Sequence, residues 1–188
     1  MTAATLINLA RKTARCGEGF ARSTRGMVAI EFALIVPVMI TIYFGTIETT
    51  NAMTAARRVT NVAQTAADLT AQAASVSTSD INDIFAASVA ILTPFPTSPV
   101  KITITSIVAS SSSATTLSVA WSKTYNGATA RTAAVLPSGL TTAGSSVIMV
   151  EVTYTYTSPI ATFITGPIVM KETAYLKPRR SVTVPFTS

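Results

Sequence analysis

The 188-residue chain contains no histidine and one cysteine, Cys16, so the usual Ser–His–Asp, Cys–His and His/Cys zinc constellations cannot be assembled. Its net charge of +6 is weak and dispersed outside the N-terminal segment, which does not indicate nucleic-acid binding, and no glycine-rich phosphate-binding motif is present. We therefore expect a non-enzymatic protein with no metal, no cofactor and no small-molecule substrate.

The first 26 residues form a basic leader. Five basic residues against Glu18 give this segment a charge of +4, which leaves +2 of the net +6 for residues 27–188. Positive charge ahead of an apolar segment favours a cytoplasmic N-terminus. We predict that residues 1–26 stay in the cytoplasm and that the rest is exported. Because Cys16 lies in the leader, the exported part can form no disulfide.

Residues 27–47 form an apolar run whose one charged residue is Glu31. As a helix this run would be about 31 Å long, against roughly 30 Å for the hydrocarbon core of a bilayer. We predict that residues 27–48 are the transmembrane half of a long N-terminal helix. A carboxylate inside a membrane costs roughly 2.5 kcal/mol or more, so Glu31 indicates a function. Pro37 lacks an N–H and is expected to kink or loosen the helix.

Two other interpretations of the apolar run stay open. It could be an ordinary signal-anchor helix in which Glu31 lies near the lipid headgroups, where a charge costs little. It could also be a conventional signal peptide cleaved at the alanine-rich segment near Ala52, although its apolar region is longer than usual.

Residues 49–79 are predicted to continue the helix as an exported amphipathic half. Apolar residues recur there at alternating spacings of three and four, which defines a heptad seam. The seam is typical either of a coiled coil or of a helix that covers the core of its own domain. Its members are Ala52, Ala55, Val59, Val62, Ala66, Leu69, Ala73 and Val76.

Residues 80–188 are predicted to form an exported α+β domain. The sequence Ser77-Thr78-Ser79-Asp80 is a helix N-cap signal, and the second amphipathic helix that follows must end before Pro94. From Val100 the apolar period changes to two, which predicts a half-buried antiparallel sheet of four or five strands. The predicted strands lie near residues 100–105, 117–122, 147–156, 168–176 and 181–186.

Two further features of this domain could carry a function. The apolar loop with Ile160, Phe163 and Ile164 could contact a partner or the membrane surface, or it could cover the end of the sheet. Glu151 and Glu172 could form the carboxylate pair of a hydrolase. The hydrolase requires one polar pocket that contains both carboxylates.

The segment from Arg25 to Phe32 resembles the processing site of type IV prepilins. Basic residues precede Gly26, Glu31 lies five residues after it, and an aromatic residue follows. The chain from Gly26 to about Gln72 further resembles the TadE-like pseudopilins of the tight-adherence (Flp) pilus machinery. The matching residues are the run Glu31-Phe32-Ala33-Leu34-Ile35-Val36-Pro37, then Gly45, Glu48, Arg57 and Ala66-Ala67.

This resemblance implies a single-pass protein of the inner membrane with a periplasmic or extracellular C-terminal domain. A prepilin peptidase would cut after Gly26 and expose Met27 as the new terminus, and Glu31 would serve assembly by pairing with the amino group of Met27 in a neighbouring subunit. The implied partners are the peptidase, other pilins and pseudopilins, and the Tad machinery.

The chain departs from the major pilins of this class in two ways. Phe32 stands where tyrosine is common, and the globular domain is much larger than theirs. We therefore predict a minor pseudopilin or assembly factor of a Tad (Flp-type) pilus, which serves cell adhesion, or of a related secretion system. The alternative function is a membrane-tethered envelope binding module that no prepilin peptidase processes.

Overall fold

The computed structural model describes residues 24–158 and 166–187. It has an α+β fold, as predicted, with a long helix, a short helix and a four-stranded antiparallel sheet. Backbone contacts divide the chain into two compact units, Met1–Ile47 and Glu48–Ser188. The elements are α1 (Thr24–Gln72), α2 (Thr78–Ala90), β1 (Val100–Ser110), β2 (Ser113–Tyr125), β3 (Ser146–Tyr156) and β4 (Ile168–Leu176).

The heptad seam of α1 packs within the second unit. Ala55, Val59, Val62 and Ala66 are at most 1% exposed and belong to one core cluster with α2 and the sheet. This arrangement supports the prediction of an amphipathic helix that covers its own domain, rather than a coiled coil. Because alanines dominate the buried face, the helix backbone can approach its neighbours closely.

The α1 helix ends at Gln72, whereas the sequence predicted that it continues to residue 79. The reason lies in Val76, whose N–H donates to Pro185 O at 3.1 Å and whose carbonyl accepts from Thr187 N at 2.9 Å. These bonds to the C-terminal segment hold Val76 in an extended bridge with Phe186, so it cannot take a helical conformation.

The α2 helix begins at the predicted cap. Ser77 is the N-cap, its hydroxyl accepts from Asp80 N, and the Asp80 carboxylate accepts from Ser77 N at 2.8 Å. This reciprocal capping box satisfies two backbone donors that the first turn would otherwise leave unpaired. The buried face of α2 consists of Ile81, Ile84, Phe85, Ser88 and Val89.

The sheet has the strand order β2-β1-β3-β4, and every neighbouring pair is antiparallel. One face carries Ile148, Val150, Val152, Tyr154 and Tyr156 into the core, in agreement with the predicted alternation. The opposite face of β1 and of the first half of β3 is also largely buried. The prediction of a half-buried sheet is therefore wrong for β1 and for the first half of β3, and it holds for the second half of β3.

The connection between β2 and β3 explains the second buried face. Since β2 and β3 both pair with β1, residues 126–145 have to pass across β1. Thr103 Oγ1 donates to Thr129 O at 3.2 Å, and Arg131 N donates to Ser122 Oγ at 3.0 Å. The crossing connection is thus hydrogen-bonded to the outer face of the sheet, where it covers Thr103 and Thr105 but leaves Lys101 exposed.

The predicted fifth strand at residues 181–186 does not join the sheet among the described residues. Its backbone instead bonds to the chain between α1 and α2 through Val76. Val184 is 1% exposed within the core, and Trp121 Nε1 donates to its carbonyl at 2.8 Å. The C-terminal segment therefore closes the core by side-chain and loop contacts.

Candidate functional site: the apolar N-terminal helix

The predicted processing site lies in the first turn of α1. Gly26 is helical, and a Cβ built on it would meet no atom within 4 Å. Met27, the residue after the predicted cut, is 61% exposed. Most of the predicted leader, residues 1–23, lies outside the described residues.

Large apolar side chains are exposed on every side of the first half of α1. A helix that is apolar all round is normally buried in a protein core or in a membrane. Among the described residues, this is the one helix long and apolar enough to cross a membrane, and none of its most apolar stretch is buried. The side chains, all between 42% and 71% exposed, are Met27, Val28, Ile30, Phe32, Leu34, Ile35, Val38, Met39, Ile40, Ile42, Tyr43 and Phe44.

Glu31 is the one carboxylate within this apolar stretch, and it is exposed. The residues one turn before and after it are Met27, Val28, Leu34 and Ile35, so its own helix offers it no polar side chain. Met27 and Glu31 lie on the same face, about 6 Å apart along the axis. An amino group exposed at Met27 would therefore lie about one turn before this carboxylate in the same chain.

The helix continues through Pro37, and the loosening predicted there stays a prediction. Thr41 Oγ1 donates to the Pro37 carbonyl at 2.8 Å, and Thr46 Oγ1 donates to the Ile42 carbonyl at the same distance. Hydroxyls that bond to their own helix backbone need no water. The two threonines are therefore compatible with a lipid environment.

The second unit begins at a polar cluster that the sequence did not predict. Ser158 Oγ donates to Glu48 Oε2, and the other carboxylate oxygen is buried without a hydrogen-bond partner among the described residues. Burial and the neighbouring Glu48 carboxylate raise the pKa of the Tyr156 phenol. Glu48 and Ser158 are about 110 positions apart, and no periodicity links them. The sequence offered one signal for this cluster, since Glu48 is a carboxylate that directly follows the apolar run of residues 27–47.

Two arginines form contacts between the second half of α1 and other parts of the second unit. Arg58 Nη1 donates to the Ile91 carbonyl at 2.7 Å, where it caps the C-terminal end of α2. Arg179 forms an ion pair with Asp68 at 2.5 Å, and its N–H donates to Ala71 O at 2.8 Å. Arg179 thus holds the segment after β4 against α1.

The structure does not bring Glu151 and Glu172 together. Glu151 pairs in register with Thr173, and Glu172 pairs with Val152, so the two carboxylates lie on opposite faces of the sheet. Glu151 Oε1 accepts from Arg131 Nη1 at 2.5 Å. The two-carboxylate hydrolase is therefore not supported. The loop of residues 160–164 lies outside the described residues, and its predicted contacts stay a prediction.

Comparison with known proteins gives one match. The family model described as TadE-like protein matches residues 26–68, from the predicted processing site into the buried half of α1. No curated protein and no solved structure matches the chain. The family suggests a role in Tad pilus assembly and association with a membrane. The match to residues 26–68 therefore confirms that this chain carries the TadE-like helix predicted from its sequence.

Proposed function

We propose that this protein is a non-enzymatic minor pseudopilin or assembly factor of a Tad (Flp-type) pilus in the inner membrane. The observation that carries the proposal is that the TadE-like match begins at Gly26 and covers a helix whose exposed apolar surface includes one carboxylate, Glu31. The leader stays in the cytoplasm, and the unit from Glu48 onward is exported.

Processing supplies the partner that Glu31 lacks in its own helix. A prepilin peptidase cuts after Gly26, which leaves a charged amino group on Met27. In the membrane this amino group and the Glu31 carboxylate of a neighbouring subunit pair, and each charge offsets the cost of burying the other. Subunit association therefore depends on both the cut and the carboxylate.

The buried seam limits which surface of α1 can contact other pilins. Ala55, Val59, Val62 and Ala66 already pack in the core of their own unit, so this face cannot also pack against a neighbouring helix. The helix surface before Glu48 and the exposed face after it, which includes Met53 and Arg57, remain for contacts with other pilins. The minor role is supported instead by the unit from Glu48 onward, which is much larger than the globular domain of the major pilins that the chain resembles.

Mass spectrometry of the mature N-terminus tests the proposal. Chain purified from membranes that contain the peptidase should begin at Met27, and Gly26→Leu should keep the leader attached while still inserting, because the apolar run is unchanged. Gly45→Leu is a matched control, since a Cβ there also meets no atom within 4 Å. An uncut wild-type chain would overturn the proposal in favour of the membrane-tethered binding module.

A further inference from the structure

The outer face of the sheet contains a cleft of about 310 Å³. Its floor is formed by Thr103 and Thr153, and the crossing connection at residues 127–129 forms one wall. Lys101 and Lys171 complete the lining together with Glu151. All of these residues belong to the second unit.

Strand register places the two lysines on either side of one hydroxyl. Lys101 pairs with Thr153 across β1 and β3, and Thr153 pairs with Lys171 across β3 and β4. The lysines thus stand two strands apart, roughly 10 Å, on one face of the sheet. Neither has an ion-pair partner among the described residues. Two unpaired ammonium groups that flank a hydroxyl are suited to hold an oxyanion.

The acidic residue of the cleft does not cancel this charge. Glu151 Oε1 accepts from Arg131 Nη1 at 2.5 Å, and this ion pair leaves the two lysines as the net charge of the cleft. Only one oxygen of Glu151 is bonded to Arg131. The other oxygen is an acceptor that a ligand hydroxyl can reach.

We propose that this cleft binds an acidic sugar. Such a ligand carries a carboxylate for Lys101 and Lys171 and hydroxyl groups that donate to Glu151 and accept from Thr153. A simple inorganic anion would use the lysines but gain nothing from Glu151, whose side chain is 35% exposed and would stay bonded to water. A neutral sugar would use the hydroxyl partners but leave both ammonium groups unpaired. The proposal does not rest on the role of the chain in pilus assembly.

The test is an NMR titration of the full chain in detergent micelles, with threonine methyl groups labelled. Sodium glucuronate should shift the Thr103 and Thr153 methyl signals in a saturable way, with a dissociation constant in the millimolar range that is usual for a single sugar unit. At equal ionic strength, glucose and inorganic phosphate should bind at least about fivefold more weakly.

Substitutions separate a built site from general charge attraction. K101A and K171A should each weaken glucuronate binding by about fivefold or more. K177A removes the same charge from an exposed residue six positions beyond Lys171, roughly 20 Å along the chain direction, and should leave binding unchanged. Equal binding of phosphate or glucose, equal loss in K177A, or no saturable shift of the two methyl signals would each overturn the proposal.

Discussion

Removing the Glu31 carboxylate should abolish subunit association without lowering the amount of protein in the membrane. The side chains one turn away in its own helix are apolar, and in the proposed assembly its partner is the Met27 amino group of a neighbouring subunit. Breaking a buried ion pair by removing one member costs about 3–5 kcal/mol, because the other charge is left unpaired. A loss of about 3 kcal/mol corresponds to more than a 100-fold fall in the association constant. Glu31→Ala should therefore insert normally but fail to co-purify with other pilins.

The assay compares membrane level by immunoblotting, co-purification after crosslinking in membranes, and pilus counts by electron microscopy. A matched control exchanges two residues, Glu31→Ile with Ile35→Glu, which keeps the composition but moves the carboxylate about 6 Å along the axis. The exchanged chain should also insert without assembling. Normal pilus numbers in Glu31→Ala would refute the pairing mechanism, and normal numbers in the exchange alone would show that the position of the charge is unimportant.

Three further predictions concern the second unit, and each is checked by thermal or denaturant unfolding of the full chain in micelles. Ala66→Leu should destabilise the unit by about 1–3 kcal/mol, because the site is fully buried, whereas the same change at exposed Ala74 should be nearly neutral. Trp121→Phe should cost about 1–2 kcal/mol by leaving the Val184 carbonyl without its donor; an unchanged midpoint would contradict the role of this bond. Hydrogen bonds from Ser77 lower the pKa of Asp80 in the folded state. The stabilisation from this cap is therefore present above about pH 4 and is lost as the pH falls through the lowered pKa. Asp80→Asn should remove this part of the pH dependence of stability.

Local patterns in the sequence predicted the elements that depend on nearby residues. The cap at Ser77 and Asp80 set the start of α2, and the alternation in β3 identified the face that enters the core. Such features require information from a few neighbouring positions. The apolar run and Glu31 are equally local, which is why a short stretch of sequence is enough to recognise the TadE-like segment.

Features that depend on distant pairing could not be predicted in the same way. Residues 181–186 alternate like a strand, yet whether they join the sheet depends on Val76, more than 100 positions earlier. The contact between Glu48 and Ser158 likewise joins two residues that are 110 positions apart in the chain. The burial of both faces of β1 follows from the strand order, which places the connection between β2 and β3 across it. Strand order is a property of the whole sheet and leaves no periodic mark in any one segment.

The contacts of residues 184–187 bear on when the second unit can fold during synthesis. Val184 is buried in the core, and Trp121 Nε1 donates to its carbonyl. The N–H and the carbonyl of Val76 form hydrogen bonds with Pro185 and Thr187. A chain that is still emerging lacks these residues, so its core stays open beside Trp121 and Val76. The core of the unit is therefore completed only once residues 184–187 have been synthesised and have reached Trp121 and Val76.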